Sequence, residues 1–136
     1  MYKSFDTELE RNVAIKLIHP HLVASREAAT HFKQEAKAPA SFTHPNVVTV
    51  YDYGVAEDRR AYLVMELLRG STLRQELHRN QRLSPERASN ILSGICAAVE
   101  AAHRRLILHR DLKPENIFLE KSDGTETAKM LDFGVV

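Results

Sequence analysis

One cysteine, Cys96, is all that the 136 residues offer to thiol chemistry. An intrachain disulfide is therefore impossible, and neither a secreted disulfide framework nor paired-cysteine metal spacing applies. His19, His21, His31, His44, His78 and His103 follow no metal-ligand spacing. A surplus of charge is also lacking: 19 basic and 18 acidic residues leave a formal +1. That balance gives no attraction to nucleic acid or to an anionic membrane surface, so any phosphate must be held by a local site. No stretch approaches the roughly 18 apolar residues of a membrane span. The opening Met1-Tyr2-Lys3-Ser4-Phe5-Asp6 lacks the charged flank, apolar run and cleavage site of a signal peptide. Internal repeats and low-complexity segments are missing too. The expectation is a cytoplasmic protein, or the cytoplasmic part of a longer and membrane-anchored one, without nucleic-acid contact and with no membrane contact from this segment, of ordinary globular composition at 43% hydrophobic and 27% charged residues.

Val13-Ala14-Ile15-Lys16-Leu17-Ile18 is apolar and β-branched and is stopped by His19-Pro20, which predicts a buried strand with one charge, Lys16. From Ser25 to Ala38, Ala28, Ala29, Phe32 and Ala36 recur at helical spacing among charged residues, up to Pro39. Val47 to Tyr53 and Ala61 to Met65 read as an antiparallel strand pair around a polar turn. Thr72 followed by Gln75 forms a capping-box pattern for a short helix. Ser84 as cap and Pro85 at the first helical position open a longer helix, with Ala88, Ile91, Leu92, Ile95, Val99 and Ala102 as its apolar stripe. Cys96 is expected to pack in that stripe. Leu106 to Leu108, Ile117 to Glu120 and Lys129 to Leu131 are short apolar runs, the last two joined by Ser122-Asp123-Gly124-Thr125.

The most specific stretch is His109-Arg110-Asp111-Leu112-Lys113-Pro114-Glu115-Asn116, followed downstream by Asp132-Phe133-Gly134 and preceded upstream by Val13-Ala14-Ile15-Lys16. These match, in order, the catalytic loop, the metal-binding triplet and the phosphate-lysine strand of protein kinases. The sequence resembles the eukaryotic-like, bacterial-type serine/threonine protein kinases, Lys113-Pro114-Glu115 being typical of that branch. The resemblance implies ATP and Mg²⁺ as cofactors and protein substrates with serine or threonine acceptors. Phosphoryl transfer through a loose transition state asks for positioning and charge neutralisation, hence a cation, oxygen metal ligands and a carboxylate near the acceptor hydroxyl. By resemblance, Lys16 holds the α- and β-phosphates and Glu35 orients it. Asn116 and Asp132 hold the metal. Asp111 accepts the hydroxyl proton or orients that hydroxyl, and Lys113 neutralises the transferring phosphoryl group. For the base, Ala14 and Phe118 sandwich adenine, Met65 is the gatekeeper, the Glu66 carbonyl accepts a hydrogen bond and the Leu68 amide donates one. His109 is expected to be structural.

The implied architecture is an α+β, protein-kinase-like fold in truncated form. Most of the small β-rich lobe (1–65) is present without its glycine-rich loop, then a hinge (66–70) and the first part of the helical lobe as far as the metal-binding triplet (71–136). Apolar faces left uncovered by that truncation predict poor stability in isolation. Pro39 stands where the family usually has leucine; in a continuing helix it would cost about 3 kcal/mol or more and would weaken the pairing of Lys16 with Glu35. The leading reading is ATP-dependent phosphorylation of protein serine and threonine hydroxyls by the parent domain. A noncatalytic remnant or nucleotide-binding fragment is the alternative. A small-molecule phosphotransferase is disfavoured by Arg110 and Lys113.

Overall fold

A computed structural model of the chain describes residues 1–17, 30, 37, 40–56, 58 and 60–132. Glu35, Pro39, Phe133, Gly134 and nearly all of the helix expected between Ser25 and Ala38 lie outside the described residues. Two compact units are present. The described parts of Met1–Thr43 and Thr49–Leu67 form the first, and those of His44–Val48 and Leu68–Gly134 form the second.

The first unit is built on an antiparallel sheet of β1 (Tyr2–Asp6), β2 (Arg11–Leu17), β3 (Val50–Val55) and β4 (Ala61–Glu66), in the spatial order β1-β2-β4-β3. The turn after β1 is set by Asp6, whose carboxylate accepts the N–H groups of Glu8 at 3.2 Å and Leu9 at 3.1 Å. Alternation along β4 buries Ala61, Leu63 and Met65 on one face. Opposite Met65, a bulge between Val50 and Asp52 breaks the register, and the Arg11 guanidinium sits 3.5 Å from the centroid of the Tyr51 ring.

The strand expected over Val47 to Tyr53 is a correction. Val47 and Val48 belong to the second unit, with Val48 N–H donating to the Met130 carbonyl at 2.9 Å and Met130 N–H to that of Asn46 at 2.8 Å. One β-branched run thus serves two partners, and composition cannot show where the partner changes.

In the second unit, β5 (Gly70–Thr72), β6 (Ile117–Ser122) and β7 (Thr125–Met130) form an antiparallel sheet joined by α1 (Leu73–Asn80) and α2 (Pro85–His103). The expected capping box is formed: Thr72 Oγ1 accepts from Gln75 N–H at 3.2 Å, and Gln75 Oε1 accepts from Thr72 N–H at 3.0 Å. Ser84 caps α2 by accepting from Arg87 N–H at 3.2 Å. Ile91, Ile95, Ala98 and Ala102 are the buried residues of α2, while Leu119 and Met130 are the largest fully buried side chains. The buried stripe is narrower than the sequence pattern implies. Leu92 is 58% exposed and Cys96, expected to pack, is exposed. One residue on from the buried pair Ile91 and Ile95 is a step of about 100°, which carries both side chains off the packed face. Leu106 is likewise 93% exposed, so of that run only Ile107 enters the core. Among the described residues no helix is long and apolar enough to cross a membrane.

Candidate active site

In the first unit, register fixes which residues share a face. Ala14 lies opposite Met65, and Lys16 lies opposite Leu63. Because i and i+2 project to the same side of a strand, Ala14, Lys16, Leu63 and Met65 stand together on one face of the sheet. Ala14, Leu63 and Met65 are buried and Lys16 is half-buried. This apolar platform with one ammonium at its margin suits an aromatic base with attached phosphate. Glu66, one residue beyond Met65, belongs to the opposite face. Its N–H donates to the Thr49 carbonyl at 3.0 Å, and its Oε1 accepts the Thr49 N–H at 2.8 Å.

The second unit collects the catalytic-loop residues. His109 is 6% exposed and bridges two segments. Its Nε2–H donates to the Leu131 carbonyl at 2.8 Å, so its Nδ1 is the acceptor for Asp111 N–H at 3.3 Å. Asn116 N–H donates to the Lys113 carbonyl at 2.9 Å, and Leu131 N–H donates to the Asn116 carbonyl at 2.8 Å. The loop and the residue before Asp132 are thereby tied at both ends. Arg110 and Asp132 adopt left-handed φ angles of 66° and 58°, a costly geometry for side-chain-bearing residues that clusters at functional sites.

Within this frame the side chains converge on Asp111. Lys113 Nζ lies 2.6 Å from Asp111 Oδ2, and Asn116 Nδ2 donates to the Asp111 carbonyl at 2.9 Å and to Oδ2 at 3.0 Å. The Lys113 ammonium, helped by the Asn116 amide, holds the Asp111 carboxyl below the usual aspartate range. Lys113 is shifted up, chiefly by its bond to Asp111, with smaller contributions from Glu115 and Asp132. Lys113 therefore senses both aspartates that the sequence motifs single out.

Among the described residues no group of three or more His, Cys, Asp or Glu side chains could hold a metal ion. The donor set instead fits Mg²⁺, which keeps several waters and takes few protein oxygens together with substrate phosphates. The Asn116 amide nitrogen is occupied by Asp111, which leaves the amide oxygen as the end of that side chain suited to a hard cation. Phe118 is half-buried on β6, opposite Thr72 and Lys129, and Leu68 is half-buried in the second unit, two residues before β5.

Two contributors escape a reading of the sequence. The Glu66 side chain bonds Thr49, although only its backbone carbonyl was expected to matter. Arg87 joins Glu76 of α1 to Glu126 of β7, with Nη1 2.6 Å from Glu76 Oε1 and Nη2 2.7 Å from Glu126 Oε2. These groups come from distant parts of the chain and follow no motif.

A family model described as the protein kinase domain matches residues 1–136. The chain is 39% identical over 99% of its length to a probable serine/threonine-protein kinase of Streptomyces coelicolor, covering 20% of that protein. It is 38% identical to the serine/threonine-protein kinase PrkC of Bacillus subtilis, with the same coverage of both chains. It is 37% identical over 96% of its length to PknB of Mycolicibacterium smegmatis, covering 21% of that protein. Among solved structures, the PknI kinase domain of Mycobacterium tuberculosis matches with a TM-score of 0.79 and 26% identity, over 93% of this chain and 50% of that one. The chain thus spans about a fifth of the length of these curated relatives.

Proposed function

The chain belongs to the protein kinase domain family, and from that premise we propose that it supplies the nucleotide- and metal-handling part of an enzyme that transfers the γ-phosphoryl group of ATP to serine or threonine hydroxyls of proteins. The observation that carries this reading is the convergence of Lys113 and Asn116 on Asp111, at 2.6 and 3.0 Å, in a loop bonded to the segment leading into Asp132. A carboxylate fixed from two sides suits a group that must hold an acceptor hydroxyl in line with a phosphorus atom. The neighbouring lysine suits the negative charge of the phosphoryl oxygens.

In this proposal Lys16 binds the α- and β-phosphates, with Glu35 as its partner. Ala14, Met65 and Phe118 enclose the base, and the Glu66 carbonyl and Leu68 amide read its edge. Asn116 and Asp132 hold Mg²⁺, which when bound neutralises phosphate charge. Asp111 orients the acceptor hydroxyl and receives its proton. Residues 1–65 act as the small lobe, 66–70 as the hinge and 71–136 as the start of the large lobe. The cytoplasm, where ATP is supplied, is the compartment this reading requires. The near-neutral charge gives it no need of nucleic-acid or membrane contacts.

The test uses the full-length protein with ATP and a protein substrate, followed by phosphoamino-acid determination. Asp111→Asn is expected to slow transfer about 10²- to 10⁴-fold, the range of a positioned acid–base group. Asp132→Ala is expected to lower transfer and to weaken its dependence on Mg²⁺ concentration. Undiminished transfer in either variant overturns the role given to that residue.

A further inference from the structure

The loop that converges on Asp111 also turns one carboxylate outward. Pro114–Asn116 forms a 3-10 turn in which Asn116 is buried and reaches back to Asp111, while Glu115, the residue before it, is exposed. The charge of Glu115 helps to shift Lys113 up, so this carboxylate borders the ammonium that is bonded to Asp111. Consecutive residues of an extended chain lie only about 3.3–3.6 Å apart. A polypeptide that lays a hydroxyl on Asp111 therefore carries its flanking residues past this rim.

The rim holds the opposite charge as well. Arg74 stands in the first turn of α1, and its Nε lies 3.7 Å from Glu115 Oε1, with both side chains at least half exposed. The positive end of the helix dipole disfavours a cation, so α1 itself gives no reason for an arginine there. Glu115 offsets that charge. A contact between two such exposed groups is weak and is readily exchanged for another partner. A basic flank can take Glu115, and an acidic flank can take Arg74, each displacing the same weak contact.

We infer that Arg74 and Glu115 are a charge-balanced pair of specificity-determining residues that makes phosphorylation indifferent to the sign of charge beside the acceptor serine or threonine. Glu115 alone would select basic flanks, and Arg74 alone would select acidic ones. Held together, they favour neither. This inference rests on the proposed transfer to protein hydroxyls and adds the charge class of the acceptor segment.

The experiment uses full-length protein, ATP and synthetic serine peptides of otherwise uncharged sequence, with one lysine or one glutamate placed in turn at each of the three positions on either side of the acceptor. At each position kcat/KM for the lysine peptide is divided by that for the glutamate peptide. In wild type this ratio is expected to stay within about twofold of unity throughout. Arg74→Gln is expected to raise it about threefold to fivefold at one or more positions, the size of an exposed ion pair, and Glu115→Gln to lower it by a similar factor. The double variant is expected to return to the wild-type ratio, and the shifts of the single variants to shrink as salt is raised. A general loss of structure lowers both peptides together and leaves the ratio unmoved. Ratios that do not move in the single variants, or that move in the same direction in both, overturn the inference, as does a wild type with a marked preference for one sign. Transfer to a protein substrate without transfer to any peptide overturns the inference and leaves the proposed function intact. Absence of transfer to peptides and proteins alike overturns both.

Discussion

Replacing Arg87 with methionine should destabilise the second unit by about 2–3 kcal/mol. Arg87 Nε and Nη2 form a two-pronged contact with Glu126, at 2.8 and 2.7 Å, while Nη1 reaches Glu76 at 2.6 Å. The side chains are 30% exposed for Arg87, 8% for Glu76 and 25% for Glu126. Removing one member of a fully buried ion pair costs about 3–5 kcal/mol, because the remaining charge loses its partner without regaining water. Partial exposure of Arg87 and Glu126 lets solvent replace some of that interaction, which sets the lower figure. Glu76 is the more vulnerable carboxylate, because only Asn80 Nδ2, at 2.8 Å, remains beside it among the side-chain bonds described. Urea denaturation of the full-length protein and of Arg87→Met measures the loss. Adding Glu76→Gln and Glu126→Gln should recover most of it, since the orphaned charges are then gone. A loss below about 0.5 kcal/mol, within the range of exposed pairs, would refute the argument. Failure of the added substitutions to recover stability would do the same.

The network also has a pH signature. The Arg87 hydrogen bond holds the Glu76 carboxyl below its ordinary value of 4.5. The native state then binds fewer protons than the unfolded state, so this stabilisation is present above about pH 4.5 and is lost as pH falls through the lower native value. In Arg87→Met that acid sensitivity should be reduced.

Gly70→Ala should cost about 1–3 kcal/mol or more, because Gly70 has φ 145° and a Cβ there would run into the Leu119 carbonyl; thermal denaturation would show it, and an unchanged midpoint would contradict the geometry. His109→Phe keeps an aromatic ring but removes the bonds to Leu131 and Asp111, so a loss of about 1–3 kcal/mol is expected in urea, together with a fall in phosphate transfer. Full activity at wild-type stability would show that the imidazole bridge has no positioning role.

Local features were the ones legible in the sequence. Thr72 with Gln75, and Ser84 with Pro85, place helix starts through contacts only a few residues apart. His109 to Asn116 forms one contiguous loop whose residue types match a known chemistry, and His109 is buried and bonded as a structural residue should be. What periodicity could not convey was partnership. Val47 and Val48 look like the start of β3 but lie in the second unit, where they pair with Met130. Cys96 lies within an apolar stripe yet sits just beyond the packed face. Arg87 and Glu126 are 39 residues apart, and neither type nor spacing announces their contact. The family resemblance points to the Glu66 carbonyl; the carboxylate bond to Thr49 lies next to a bulge that has no sequence signature.

The electrostatics of Asp111 constrain how it could act in the proposed reaction. An efficient general base has a pKa near the working pH, whereas Lys113 and Asn116 hold Asp111 below the ordinary carboxylate range. Early removal of the hydroxyl proton by so weak a base is unfavourable. A loose transition state does not require it, since bonding from the attacking oxygen to phosphorus remains slight when the bond to the leaving oxygen is largely broken. In the proposed reaction the proton would become acidic only as the new O–P bond forms, and it would then pass to the Asp111 carboxylate while ADP departs with the electron pair of the broken bond. In the proposed order of events, Asp111 aims the hydroxyl before that moment. Its two partners suit the proposed order of events: Asn116 also grips the Asp111 backbone carbonyl, so the aspartate has a tether besides its contact with Lys113.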